Sequence, residues 1–178
     1  NIPWIIMLTV TTLVFITLAM KGGSYVYYFE NYVDKARLTA FLEPLKSFLP
    51  AFENDISMGL GVFNGGGILI GLIGIMLSKT LADKYGKRNV FGASLFVSTL
   101  FIILFYFYPP QSVGLMFGSQ ILHMFFYGIS TPFLWTMIAD VADYSEWQNN
   151  RRATAIIFSA MMVGLEGGLS IGSSLLTL

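Results

Sequence analysis

One glutamate, Glu166, lies in the middle of a long apolar run, and it is the strongest candidate in the sequence for a residue with a chemical role. A charged side chain at the centre of a membrane-length helix costs about 2.5–3.5 kcal/mol on insertion scales, so it persists where it faces a cavity or a partner. Four residues share its face at helical spacing: Ser159, Met162, Ser170 and Ser173. This small, polar face predicts a substrate or ion path. A structural hydrogen bond from a protonated carboxyl is the alternative.

A lysine and two glycines form a second candidate in the first apolar run. Lys21 precedes Gly22 and Gly23, and glycine weakens a helix. Irregular backbone at membrane depth is tolerated against protein or a water-filled cavity, and a broken helix beside a charge is a recurrent transporter site. We therefore predict that Lys21 lines a substrate path. A lysine that snorkels to the membrane interface is the alternative.

Two further polar positions join this predicted path. Asn64 lies in a glycine-rich run, and Trp135 ends a series at intervals of four that begins at His123. Tryptophan combines a flat apolar surface with a hydrogen-bonding tip, which suits a sugar ring and its hydroxyls. We predict that Asn64 and Trp135 line the path and that His123 serves packing or an interface role. Ordinary helix packing also explains the aromatic series.

Charged residues between the apolar runs form a third group. Acids and bases that close together on one side of a membrane protein can act as a gate, whereas a solvated loop has the same composition. We predict a cytoplasmic gating role for seven residues: Asp83, Lys87, Arg88, Asp140, Asp143, Arg151 and Arg152.

The composition defines the elements that must position these residues. The 178 residues are 55% hydrophobic and 11% charged, with a mean hydropathy of +0.69, whereas a soluble domain is about 25% charged. We predict an all-α membrane protein with five spans at about 4–29, 56–78, 90–108, 111–139 and 153–178. The chain has no cysteine, which excludes thiolate metal sites and thiol nucleophiles, and its zero net charge does not favour nucleic-acid binding.

Lysine and arginine set the predicted orientation. Bases cluster at 79–88 and 151–152, so the positive-inside rule places the loops 79–89 and 140–152 in the cytoplasm. Residues 30–55 then form an extracytoplasmic loop, whose apolar spacing predicts a short helix at the membrane interface. The last residues continue an apolar pattern, so we expect a piece of a longer protein.

Two segments carry a family resemblance. The turn DKYGKR (residues 83–88) resembles the short cytoplasmic loop of the major facilitator superfamily. The stretch TPFLWTMIADVADYSEW (residues 131–147), continuing through Arg151 and Arg152 to Ala160, closely resembles the glycoside–pentoside–hexuronide:cation symporters, the group that includes melibiose permease. The runs at 21–23 and 27–29 are similar to the seventh helix of that family.

The resemblance implies helices seven to eleven of a twelve-helix carrier, with the N-terminal half and the twelfth helix absent. It also implies import of a glycoside or oligosaccharide with Na+ or H+ across a bacterial inner membrane, by alternating access. The expected partners are the sugar, membrane lipid and the N-terminal half, which carries most of the coupling-cation site in this family. Members commonly have lysine at the position of Glu166, so substrate and coupling here stay open.

Three alternatives to a sugar symporter remain at this stage. A lipid or lysolipid carrier on the same scaffold would have a sideways-open apolar cavity. An intramembrane enzyme would pair Glu166 with His123, although no nucleophile or metal-ligand pattern supports it and we predict that the protein is not an enzyme. A helical membrane module without transport is the third alternative.

Overall fold

A computed structural model describes residues 2–48, 54–150 and 153–177, and helices dominate these three stretches. The elements are listed in chain order: α1 (Ile2–Asn31), α2 (Lys35–Lys46), α3 (Asp55–Tyr85), α4 (Lys87–Leu104), a 3-10 turn (Phe105–Phe107), α5 (Val113–Asn149) and α6 (Thr154–Leu176). Within the described residues, five of these helices are long and apolar enough to cross a membrane, namely α1, α3, α4 with its 3-10 turn, α5 and α6. The predicted all-α membrane fold is confirmed, and the protein is an integral membrane protein.

Helix α5 runs further than the sequence predicted. The segment 140–152 was expected to be a loop, but α5 continues to Asn149. Ile138, Val141, Ala142 and Ser145 are buried at intervals of three and four, so one side of this polar segment still packs as a helix. At 1.5 Å per residue α5 is about 55 Å long and exceeds the hydrocarbon core of about 30 Å.

The predicted loop 79–89 is likewise helical except for one residue. Gly86 alone separates α3 from α4, and its φ of 80° lies in the region that glycine adopts without strain. The Gly86 N–H donates to the Ala82 carbonyl at 2.8 Å, and the Asn89 side chain donates to the Tyr85 carbonyl at 3.1 Å. These bonds satisfy carbonyls at the end of α3, so the reversal needs no longer loop.

The chain divides into two compact units, residues 1–25 with 133–178 and residues 26–132. In the first unit a glycine stripe of α6 packs on α1. A Cβ built at Gly164 would lie 2.7 Å from Leu8 Cδ1, and one at Gly168 would lie 2.6 Å from the Thr12 carbonyl oxygen. The two backbones therefore approach each other too closely for a side chain at these positions.

The second unit contains an analogous close contact between α3 and α5. A Cβ at Gly71 would lie 3.3 Å from the Met124 carbonyl oxygen, and a Cβ at Gly128 would meet the backbone of Gly71. Beside this crossing, edge-to-face aromatic pairs join α1, α3 and α5, with the Phe29 and Phe63 ring centroids 5.1 Å apart and those of Phe63 and Phe117 5.3 Å apart.

The short helix α2 packs on α3 within the second unit. Leu38 and Leu42 are fully buried. Lys46 Nζ lies 3.1 Å from Glu43 Oε2 and 3.2 Å from Asp55 Oδ1. The Thr39 hydroxyl donates to the same Asp55 carboxylate at 2.6 Å. The pKa of Lys46 is raised because its ammonium donates hydrogen bonds to the carboxylates of Glu43, which has the larger effect, and Asp55. The extracytoplasmic placement of this segment stays a prediction.

Candidate functional site

The α6 helix has three distinct faces, and Glu166 belongs to one of them. Gly164, Gly168 and Gly172 form the face that packs on α1. Glu166 is two residues from both Gly164 and Gly168, so it points about 160–200° away from α1. Its side chain is exposed within this chain, as are those of its neighbours on the same face, Ser159, Met162, Ser170 and Ser173.

The third face of α6 is exposed and apolar. Ile156 is 66% exposed and Val163 is 70% exposed, and Ile171 continues this face about two turns further on. Hydrocarbon can cover such side chains at no cost, whereas it cannot solvate a carboxylate. Because the same helix separates an apolar exposed face from a polar exposed face, the two faces are suited to different surroundings, lipid for the first and an aqueous or protein surface for the second.

Lys21 occupies the corresponding outer side of α1. It lies two residues from Ala19 and Gly23, both of which face α6, so its side chain leaves the α1–α6 interface in the direction opposite to Glu166. The residue is half-buried, and its Nζ lies 6.0 Å from the centroid of the Tyr25 ring. The structure therefore does not bring Lys21 and Glu166 together across this helix pair. α1 stays helical through Gly22 and Gly23, so no break in the helix accompanies Lys21.

The other predicted path residues lie in different surroundings. Trp135 belongs to the first unit and is 38% exposed, next to the buried Phe133 and Leu134. Asn64 belongs to the second unit and is exposed on α3. Neither residue is part of a buried core, which is compatible with a path-lining role.

His123 is a packing residue, which is one of the two roles that the sequence predicted. It is 2% exposed, and its Nδ1 lies 2.8 Å from the Ser98 hydroxyl, which links α4 to α5. The imidazole also stacks on Tyr127 at a centroid distance of 5.8 Å. Sequence reasoning missed Ser98, although Ser94 and Ser98 share one face of α4 and this spacing could have indicated a polar seam.

The predicted gating residues lie near the α3–α4 turn and on the extended part of α5. Asp83 is in the last turn of α3 and Lys87 and Arg88 begin α4, and all three are exposed. Asp140 and Asp143 are exposed on the extended part of α5. Arg151 and Arg152 lie outside the described residues. Among residues 2–48, 54–150 and 153–177, no three histidine or acidic side chains group closely enough to hold a metal ion.

A comparison with family profiles identifies the family of this chain. The profile described as "MFS/sugar transport protein" matches residues 1–178, the whole chain. The chain belongs to this family. It is thus a member of a transporter family and not of an enzyme family, and the resemblance to glycoside/cation symporters is confirmed.

Three curated relatives of this sugar-transport family member carry transporter names. The putative glycoside/cation symporter YagG of Escherichia coli (strain K12) is 30% identical over 108 residues, which are 61% of this chain and 24% of that protein. The inner membrane symporter YicJ of the same strain is 27% identical over 176 residues, 99% of this chain and 34% of the relative. The isoprimeverose transporter of Lactiplantibacillus pentosus is 22% identical over 175 residues, 98% and 32% of the two chains.

The chain therefore spans about a quarter to a third of the length of these relatives. No solved structure matches it significantly. The five membrane-length helices and the inner membrane symporter among its relatives identify an integral protein of the inner membrane.

Proposed function

We propose that the complete protein is a secondary active transporter that imports a glycoside or oligosaccharide together with Na+ or H+ by alternating access. The observation that carries this proposal is the division of α6 into three faces, with Glu166 on the polar exposed face. The family membership and the symporter names of the relatives support the same conclusion.

The faces of α6 indicate where a solute path would run. Its glycine face is occupied by α1 and its apolar face is suited to lipid, so the polar face remains for a cavity shared with parts of the protein outside this chain. In such a cavity Glu166 would bind hydroxyl groups of a sugar or respond to the coupling cation. Trp135, which belongs to the same unit as Glu166, would contribute an aromatic contact, whereas the path-lining roles of Lys21 and Asn64 stay separate predictions from the sequence.

Movement between two access states requires contacts that form and break at the membrane surface. The exposed charges at the α3–α4 turn and on the extension of α5 are suited to this task, because ion pairs between exposed groups are weak, at about 0–1 kcal/mol each. In the proposed cycle Asp83, Lys87, Arg88, Asp140 and Asp143, with Arg151 and Arg152, form such pairs in one state and release them in the other.

The test is uptake of radiolabelled glycosides by the full-length protein in membrane vesicles, with an imposed sodium gradient, an imposed proton gradient or neither. Gradient-dependent accumulation is expected. In the Glu166→Gln variant we expect accumulation to fall by about tenfold or more, a difference of about 1.4 kcal/mol. The Glu30→Gln variant is the control, because Glu30 is an exposed glutamate at the end of α1 and undergoes the same chemical change.

Two results would contradict the proposal in different ways. Wild-type accumulation by Glu166→Gln would assign the residue to a structural hydrogen bond, because glutamine retains the shape and hydrogen-bonding capacity of a protonated carboxyl. Uptake of a labelled lysophospholipid, with none of any glycoside, would instead favour the lipid-carrier alternative.

A further inference from the structure

An apolar groove lies where α3, α4 and α5 meet, within the second unit. Its volume is about 340 Å³. Six apolar residues line it: Leu81, Val90, Ala93, Val97, Phe126 and Ile129. Ser94 also borders the groove, but its hydroxyl donates to the Val90 carbonyl at 2.6 Å, so this residue too presents an apolar surface. The groove offers an occupant many dispersion contacts and few hydrogen bonds.

The groove opens toward the α3–α4 turn. Tyr85 and Asn89 flank it at that end, and Val97 lines it further along α4. The rise along α4 from Asn89 to Val97 is about 12 Å, close to one leaflet of a hydrocarbon core about 30 Å thick. The dimensions thus match a chain that enters at the membrane surface and runs to about the middle of the bilayer.

Two bases stand beside the turn end of the groove. Lys84 and Lys87 are exposed on either side of Gly86, next in sequence to the lining residue Tyr85 and two residues before the lining residue Asn89. Lys84 Nζ lies 5.1 Å from the centroid of the Tyr85 ring, and Tyr85 borders the groove, so the positive charge is continuous with the apolar walls. The first turn of α4 adds its partial positive charge at the same place, and Gly86 has no side chain that could cap it.

We propose that this groove binds one anionic phospholipid, with an acyl chain between α3, α4 and α5 and the headgroup phosphate on the basic turn. Charge complementarity selects the occupant: an apolar helix would fill the groove without using the bases, and a zwitterionic lipid would use them less. The site lies apart from the polar face of α6 in residue composition and chemistry, and the inference is independent of the transported substrate.

The test measures lipid binding to the full-length protein by native mass spectrometry, after exchange into micelles that contain phosphatidylglycerol or phosphatidylcholine. We expect saturable retention of one phosphatidylglycerol. Each neutralised base should weaken binding by about fivefold, so Lys84→Gln with Lys87→Gln should weaken it by about 25-fold. The matched control is Lys35→Gln with Arg37→Gln, which removes two exposed bases from α2 instead.

A second pair of variants tests the groove itself. Ala93→Phe places a ring in the groove and should abolish retention, whereas Thr99→Phe adds comparable bulk at an exposed position on another side of α4. Size-exclusion profiles and melting midpoints of all variants check that the fold is intact. If the groove variant fails to fold, Ala93→Leu replaces it, with a smaller expected loss.

Three results would overturn the proposal. Equal retention of phosphatidylglycerol and phosphatidylcholine would show that the bases at the turn do not select the lipid headgroup. Sensitivity to the bases without sensitivity at Ala93 would show a headgroup adsorbed on the surface, with no acyl chain in the groove. Failure of the wild-type protein to retain phosphatidylglycerol would show that another part of the protein fills the groove.

Discussion

Replacing Gly168 by alanine should separate α6 from α1, and the size of the effect follows from the structure. The new Cβ would lie 2.6 Å from the Thr12 carbonyl oxygen and 3.0 Å from Phe15 Cβ. Thr12 offers a backbone atom that cannot move aside by changing a rotamer. An ordinary contact needs at least 3.4 Å, so the helices must separate locally by about 0.8 Å, and a gap of that size forfeits about a quarter to a half of each dispersion contact.

The adjacent glycine provides a control on the same turn. A Cβ at Gly167 would have nothing within 4 Å, so Gly167→Ala changes helix propensity alone. Both substitutions gain up to about 1 kcal/mol of propensity, and this gain cancels in their difference. The remaining steric cost of Gly168→Ala is about 1–3 kcal/mol. At about 2–4 °C per kcal/mol, the two variants should differ in melting midpoint by about 2–12 °C.

The assay is thermal unfolding of the full-length protein in detergent, followed at one fixed heating rate because membrane proteins commonly unfold irreversibly. Gly168→Ala should melt below both the wild type and Gly167→Ala. Identical midpoints for the two alanine variants would refute the reasoning, since they would show that α1 and α6 do not meet through the glycine face.

Three further predictions concern the second unit. Gly86→Ala should cost about 1–3 kcal/mol of stability in the same assay, because its backbone conformation is one that alanine rarely adopts, and an unchanged midpoint would show that the turn relaxes. Ser98→Ala and His123→Ala should be non-additive by about 0.5–2 kcal/mol in a double-mutant cycle, whereas additive losses would mean that their hydrogen bond contributes nothing. The raised pKa of Lys46 means that its stabilising ion pairs are complete below its ordinary value of 10.5 and are lost as pH rises through the folded value. Protection factors of the α2 amides, which divide out the base-catalysed rise of intrinsic exchange with pH, should therefore stay constant between about pH 6 and 9 and fall only at higher pH. A fall already near pH 7 would contradict this assignment.

The fold could largely be predicted from the sequence because hydropathy alone defines membrane-length helices. Hydropathy did not predict where the polar ends of those helices stop. Residues 140–149 look like a solvated loop, since Asp140, Asp143 and Glu146 interrupt the apolar pattern, and only the burial of Ile138, Val141 and Ala142 shows that one side is packed. Packing of this kind is a tertiary effect that outweighs local composition.

The candidate site was predictable only in part. The spacing of residues around Glu166 already predicted a polar face, and the structure shows that a separate glycine face of the same helix packs on α1. The partner of that face could not be read from one helix. The lipid groove could not be predicted either, because Leu81, Val97 and Ile129 come from three helices far apart in sequence. The path-lining and gating roles of the predicted residues stay predictions.

The single-residue reversal at Gly86 also decides how this part of the protein responds to proteolysis. Trypsin cleaves after lysine and arginine, and four such residues crowd the turn at positions 79, 84, 87 and 88. A protease must bind several residues in an extended conformation. Here α3 ends immediately before Gly86 and α4 begins immediately after it, so no extended segment is available. The most basic segment of the chain is therefore a poor tryptic site, and nicking there would report that the ends of α3 and α4 have frayed.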